Sequence, residues 1–226
     1  PDRVTYLTVI VQEHPNLIRV LDRAAQEAAN DPAALDRALD LACRTEELLR
    51  SAGQPHARGP VAQIRASLAS RREALGGWSR GQHQGAAMAA QQALDAGQVE
   101  DAVQACEAWV TRGESAARAG QGYLGSAYDR TVARFTLGRA RRAAGQPAAA
   151  LEAFGVARSV FETMAGTGDP SAERMVVVCD DEAAGCAADA ERYDEAARGY
   201  TIALAGFERL QDPRGAAAVR GSLATV

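Results

Sequence analysis

The chain has 226 residues and a net charge of −4; 51 residues are Ala and only 5% are aromatic. So much of the strongest helix former with so few large β-formers excludes a β-sandwich or barrel, and 47% hydrophobic residues exclude wholesale disorder. All 25 basic residues are Arg, and the acidic balance provides no overall positive field for nucleic acid or an anionic membrane.

In chain order, helix-period patterns punctuated by Pro and Gly predict helices near 2–12, 15–29, 32–52, 60–75, 84–96, 99–117, 122–144, 147–165, 171–190, 193–211 and 213–226. Pro15 divides the first two. Asn30-Asp31-Pro32 combines an N-cap with Pro in the first turn, and Gly53-Gln54-Pro55 stops the helix before it. Gly76-Gly77-Trp78-Ser79-Arg80-Gly81 is the longest break. The expected organisation is helical hairpins over 1–76, a loop or hinge at 77–83, and repeats over 84–226. No segment alternates as a strand does. The longest apolar runs, Leu7–Val11 and Met175–Cys179, fall far short of the roughly 20 residues of a membrane helix, and no signal-peptide pattern is present. A cytoplasmic chain is expected. It starts at Pro1 and stops in an Ala-rich stretch without a helix stop, so a piece of a longer polypeptide is expected too.

Cys43, Cys106, Cys179 and Cys186 form no C-x-x-C pair, and His14, His56 and His83 are scattered, so neither a metal nor a cofactor is expected. Cys179 and Cys186 lie about 10 Å apart along a helix, too far for a disulfide; buried thiols are expected.

Three segments share one pattern. Ala96-Gly97-Gln98 precedes Ala102, Cys106 and Trp109; Ala144-Gly145-Gln146 precedes Ala150, Phe154 and Ala157; Ala190-Glu191-Arg192 precedes Ala196, Tyr200 and Ala203. A turn thus joins two helices, and a small residue, an aromatic or Cys, and a third packing residue at i, i+4 and i+7 share one face of the second. Phe161 and Phe207 extend the last two.

This pattern resembles the tetratricopeptide repeat in its elongated bacterial form, best matched by Phe135-Thr136-Leu137-Gly138 followed by Ala144-Gly145-Gln146-Pro147, Ala150, Phe154 and Ala157. Tyr193-Asp194-Glu195-Ala196, Tyr200, Ala203 and Asp212-Pro213 carry it into the next hairpin. Arg134 and Arg141 depart from the family, which usually has large apolar residues there. The resemblance implies an all-α, right-handed superhelix of antiparallel hairpins, near 84–117, 122–165 and 171–211 with a partial helix at 213–226. It also implies a groove lined by the first helix of each pair, with Phe135, Arg139 and Arg142 facing it from one repeat and Asp181 from the next. Glu13-His14-Pro15-Asn16-Leu17 before an Ala-rich helix resembles the opening of the helical-repeat region in bacterial ATP-dependent regulators of the STAND class.

Two literal motifs lack their context. Gly77-Trp78-Ser79-Arg80-Gly81 fits the nucleophile elbow G-x-S-x-G, but a polar helix precedes it and His83 is the only His downstream. Gly120-Gln121-Gly122-Tyr123-Leu124-Gly125 fits G-x-G-x-x-G, yet no strand precedes it and no acidic residue stands near 145. Arg130, Arg134 and Arg141 fall within about 40° on a helical wheel, with Arg139 and Arg142 nearby. They can pair with Glu173, Asp180, Asp181 and Glu182 of the next hairpin or meet a partner's anionic groups. Trp109 reads as core and Trp78, in the loop, as a candidate partner contact.

The expected function is a non-enzymatic protein- or peptide-binding scaffold or sensor within a larger bacterial signalling or transcriptional regulator. The partner sits in the groove, other domains of the polypeptide respond, and neither membrane nor nucleic acid is engaged. A stand-alone sensor of a short peptide or small ligand, or a scaffold attached to a caspase-like protease, is the alternative.

Overall fold

The computed structural model describes residues 3–226, with side chains from Gln12 onward apart from Pro55. It is 83% helical, with no strand among the described residues. Ten helices follow in order: α1 (Arg3–Glu27), α2 (Pro32–Ser51), α3 (Pro55–Ala74), α4 (Arg80–Asp95), α5 (Val99–Arg118), α6 (Ser126–Ala143), α7 (Pro147–Gly166), α8 (Pro170–Asp189), α9 (Tyr193–Arg209) and α10 (Pro213–Leu223). None of them is long and apolar enough to cross a membrane.

Several expected boundaries differ: α4 begins at Arg80, so residues 80–83 of the expected loop are helical, and α6 begins at Ser126. α1 continues through Pro15, and α3 begins at Pro55 and continues through Pro60. A proline inside a helix loses one backbone hydrogen bond and crowds the preceding turn. Here the helices are held by what lies beyond: Leu21, Ala25 and Ala28 of the first stretch and Val61 and Leu68 of α3 are buried in one core. Tertiary packing outweighs the local penalty.

Each paired-helix turn uses the same three-residue device. In Ala52-Gly53-Gln54, the Gly53 N–H donates to Arg50 O (3.1 Å) and the Gln54 N–H to Leu49 O (2.9 Å). Ala144-Gly145-Gln146 repeats it on Arg142 O (3.0 Å) and Arg141 O (2.9 Å), and Ala190-Glu191-Arg192 on Ala188 O and Ala187 O (both 2.9 Å). The middle residue must be left-handed, with φ of 67° at Gly53 and 70° at Gly145, which is why Gly is favoured there; Glu191 adopts 59° without that advantage. The next helix starts on Pro55, Pro147 or Tyr193. Ala52-Gly53-Gln54-Pro55 and Ala144-Gly145-Gln146-Pro147 are identical in sequence, so the repeat signal reaches further toward the N-terminus than the expected segments. Asp31, Asp169 and Asp212 cap α2, α8 and α10, each accepting backbone N–H bonds just before a Pro that opens the helix.

The chain divides into two compact units, residues 1–89 with 112–124 and residues 90–111 with 125–226. In the first, α1, α2 and α3 pack around Leu21, Leu35, Leu39, Leu49, Val61 and Leu68. Gly81 and Gly85 bring α4 down onto α2: a Cβ on Gly81 would stand 3.2 Å from Asp36 O and 3.4 Å from Leu39.

In the second unit, α6 to α10 pack consecutively. Every predicted packing triplet is buried: Ala102, Cys106 and Trp109; Ala150, Phe154 and Ala157; Ala196, Tyr200 and Ala203. Small residues face large ones across the contacts. Gly138 admits Phe154, Gly206 admits Val177, and Gly215 admits Phe207. Phe154 and Phe161 are almost wholly buried and supply the largest apolar areas of this core.

Candidate functional site

All four cysteines are buried and free. Burial pushes the Cys43, Cys106 and Cys179 thiols up to about 12 and that of Cys186 to about 11, which removes the thiolate as a nucleophile near neutral pH. The groups that the sequence singles out lie instead on α6 and α8 and, for Trp78, in the loop between α3 and α4.

On α6, Arg139, Arg141 and Arg142 are ion-paired within the protein, and Arg130 donates to Ser126 Oγ at 3.3 Å. Arg142 is the hub: its Nε donates to Asp189 Oδ2 (2.6 Å), and its remaining nitrogens donate to Glu182 Oε2 (3.0 Å) and Asp189 Oδ1 (3.3 Å). Its guanidinium lies flat over Gly185, where an added Cβ would fall on the guanidinium atoms. The hydrogen bonds to Asp189, chiefly, hold Arg142 above its ordinary value despite partial burial. Arg139 reaches the other Glu182 oxygen at 3.4 Å, and Arg141 reaches Glu107 Oε1 at 3.2 Å. On the neighbouring contact Arg158 holds Asp180 at 2.7 Å. Of the two readings of the arginine face, internal pairing is what Arg139, Arg141 and Arg142 do.

Phe135 is 8% exposed and sits in the core, its ring 5.5 Å from that of Phe154, so it offers almost no surface to a groove. Phe135 and Gly138, three residues apart on one face of α6, both pack against Phe154. Asp181 is half-buried beside this cluster. Burial, and then the Glu182 charge, raise its carboxyl above the usual range, while Arg142 pulls the other way. Among the described residues no hydrogen bond or ion pair reaches it.

Trp78 belongs to a different surface, in the first unit. It lies in the loop between α3 and α4, and that loop is latched at both ends. The Arg72 Nε donates to Asp36 Oδ1 (3.0 Å) while another nitrogen donates to Gly76 O (2.5 Å). The Ser79 hydroxyl donates to the same Asp36 oxygen at 2.5 Å. Ser79 also forms a reciprocal cap with Gln82: its N–H donates to Gln82 Oε1 (2.9 Å), and the Gln82 N–H donates back to Ser79 Oγ (3.2 Å). The literal G-x-S-x-G match is therefore a helix N-cap, with the hydroxyl committed to Asp36.

Between α2 and this loop opens a pocket of about 520 Å³. Asp36, Arg37, Asp40 and Arg44 line it from α2; Trp78, Arg80 and Gln84 line it from the loop and α4, with Tyr123 at its side. Arg44 is paired with Asp40 at 2.8 Å, and Arg37 stands 4.0 Å from Asp31. Among the described residues Arg80 has no ion pair. The Gln84 Oε1 is buried and accepts no hydrogen bond within the protein. A partly buried indole beside an unpaired guanidinium can grip a ligand by apolar contact and charge. They present no nucleophile paired to a base. The sequence singles out Trp78 alone; Arg80, Gln84 and Tyr123 are found only when α2 and α4 are brought together.

A second pocket, of about 690 Å³, lies between α1 and α3 and is lined by Ile18, Arg19, Asp22, Arg23, Pro60 and Ile64 among others. Arg23 there is paired with Glu27 at 2.7 Å, and no aromatic residue lines it.

No protein-family model matches the chain, and no curated protein matches it in sequence. Among solved structures, the crystal structure of BtubC (BKLC) from P. vanneervenii is similar, with a TM-score of 0.66 over 96% of this chain and 90% of that one at 11% identity. A likeness at that identity shows the fold alone. It is consistent with a helical repeat domain.

Proposed function

We propose that this chain is a protein- or peptide-binding scaffold of tetratricopeptide type, without catalytic activity, and that its partner enters the pocket between α2 and α4. The observation that carries this reading is the latched Trp78 beside Arg80, both lining that pocket. An ordered aromatic side chain with an adjacent guanidinium is the composition that dominates binding energy at interfaces. The tetratricopeptide assignment is supported by the small–aromatic–small burial on α7 and α9 and by the recurring three-residue turn. The groove residues shift accordingly. Trp78 and Arg80 carry the contact, Arg139 and Asp181 border a second exposed strip, and Arg142 and Phe135 hold the hairpins together.

In the same reading the chain is the sensor part of a larger bacterial cytoplasmic regulator of the STAND kind, whose other domains respond to occupancy. That placement rests on the Glu13–Leu17 resemblance. Selection of a random peptide library on the immobilised chain tests the binding reading, followed by hydrogen exchange with the enriched peptides. Protection at α2 and the first turns of α4 is expected. Absence of enrichment, or protection confined to other helices, contradicts it.

A further inference from the structure

In the hairpin of α2 and α3, the place where the other hairpins interlock apolar residues is filled with charge. Counted from the turn alanines 52, 96, 144 and 190, Glu46 stands where the others have Ala90, Gly138 and Ala184. Arg58 stands where they have Ala102, Ala150 and Ala196, and Arg65 where they have Trp109, Ala157 and Ala203. Ala62 takes the place of Cys106, Phe154 and Tyr200.

The three charges meet. The Glu46 side chain is wholly buried, and Arg65 donates from Nε to its Oε2 at 2.9 Å with 5% of its own side chain exposed. Arg58 approaches Oε1 at 3.9 Å. Another Arg65 nitrogen donates to Gly85 O of α4 at 2.8 Å, so one guanidinium joins all three helices. Satisfaction is incomplete: Glu46 Oε1 and Arg58 Nε have no hydrogen-bond partner.

Stability does not account for this arrangement, since desolvating such charges generally offsets what their attraction returns. At the three equivalent places the same chain has small and aromatic residues or Cys, as where Gly138 meets Phe154. What charge adds is selectivity. The chain carries two identical Ala-Gly-Gln-Pro turns and several Ala-rich helices of similar length, so α3 has competing partners in its own chain and in a second copy. Against any first helix but α2, Arg65 would meet Ala or Gly and bury an unpaired guanidinium. Against any second helix but α3, Glu46 would meet an apolar wall. We propose that Glu46, Arg58 and Arg65 form a register key, which restricts α3 to α2 and α4 and rejects the other hairpins of this chain or of a second copy as partners.

The test compares the whole 226-residue chain with two variants. One carries the pattern of the α6–α7 hairpin (E46G, R58A, A62F, R65A), the other apolar residues of similar volume (E46L, R58M, R65M). Each is refolded from denaturant over a range of concentrations, then followed by light scattering and by melting. The key predicts that the variants fold with a melting midpoint no lower than the parent. They should also yield several-fold more dimers or larger species on refolding. A folded variant that refolds with the parent's distribution of species overturns the proposal. Failure of both variants to fold overturns it too, because the triad would then be a stabilising element.

Discussion

Gly138 of α6 faces the ring of Phe154 on α7 so closely that a methyl group on it would lie 2.6 to 2.9 Å from three ring carbons. The hairpin closes because one helix lacks a side chain where the other has its largest. Gly138→Ala is expected to destabilise the chain by about 1–3 kcal/mol, the usual range for overpacking. Phe154→Leu added to it should recover part of that loss, a coupling that only contacting residues show. Denaturant unfolding of the two single variants and the double variant measures it.

Arg65 is the point where three helices depend on one guanidinium. Arg65→Ala leaves Glu46 buried without its hydrogen-bonded partner, and a loss of about 3–5 kcal/mol is expected. Arg65→Lys should recover little, because a single ammonium cannot span both Glu46 and the Gly85 carbonyl as the planar fork does. Thermal melts of the two variants distinguish these outcomes. This single-residue cost and the tolerance expected when the whole triad is replaced follow from the same desolvation argument.

Asp181 gives the chain a pH-dependent term of defined sign. Its carboxyl is raised in the folded state, so between the ordinary carboxylate value and the raised one the folded chain holds the proton that the unfolded chain has lost. Stability from this group is therefore lost as pH rises through that window and is regained as pH falls below it. Asp181→Asn should melt higher than the parent at neutral pH, and the gap should close on acidification through the carboxylate range. A gap independent of pH would assign the effect to packing instead.

The Trp78 loop is fixed from α2 by Asp36 through both Arg72 and Ser79. Asp36→Ala is expected to loosen the loop while leaving helicity intact, and Ser79→Ala to cost about 0.5–2 kcal/mol as a lost N-cap. In a Trp109→Phe background, the emission of Trp78 should shift to the red in both variants and become more accessible to a soluble quencher.

Helix content, hairpin turns and the interlocking residues of α7 and α9 are legible in the sequence because they depend on local periodicity and on turn chemistry. Phe161 and Phe207, spaced like Phe154 and Tyr200, are core in both repeats. Pro15 and Pro60 misdirect a local reading, since burial of residues further along the helix decides whether the helix survives them. Phe135 shows the same limit: its position on the repeat suggests a groove, while its ring is buried against Phe154. The partners of Arg139 and Arg142 are foreseeable in kind from the acidic run on α8, but Asp189 as the hub's main partner depends on Gly185 letting the guanidinium lie across α8. The pocket is the least legible feature. Asp36 and Trp78 lie 42 residues apart, and only the approach of α4 to α2 at Gly81 and Gly85 brings them to one surface.

The most direct measurement is the equilibrium affinity of a library-selected peptide for the parent chain, for Trp78→Ala and for Arg139→Ala. A pocket that binds through the latched indole predicts a loss of about tenfold or more for Trp78→Ala, the scale of a central aromatic contact, and little change for Arg139→Ala. Unchanged affinity in Trp78→Ala with helicity preserved would contradict the account.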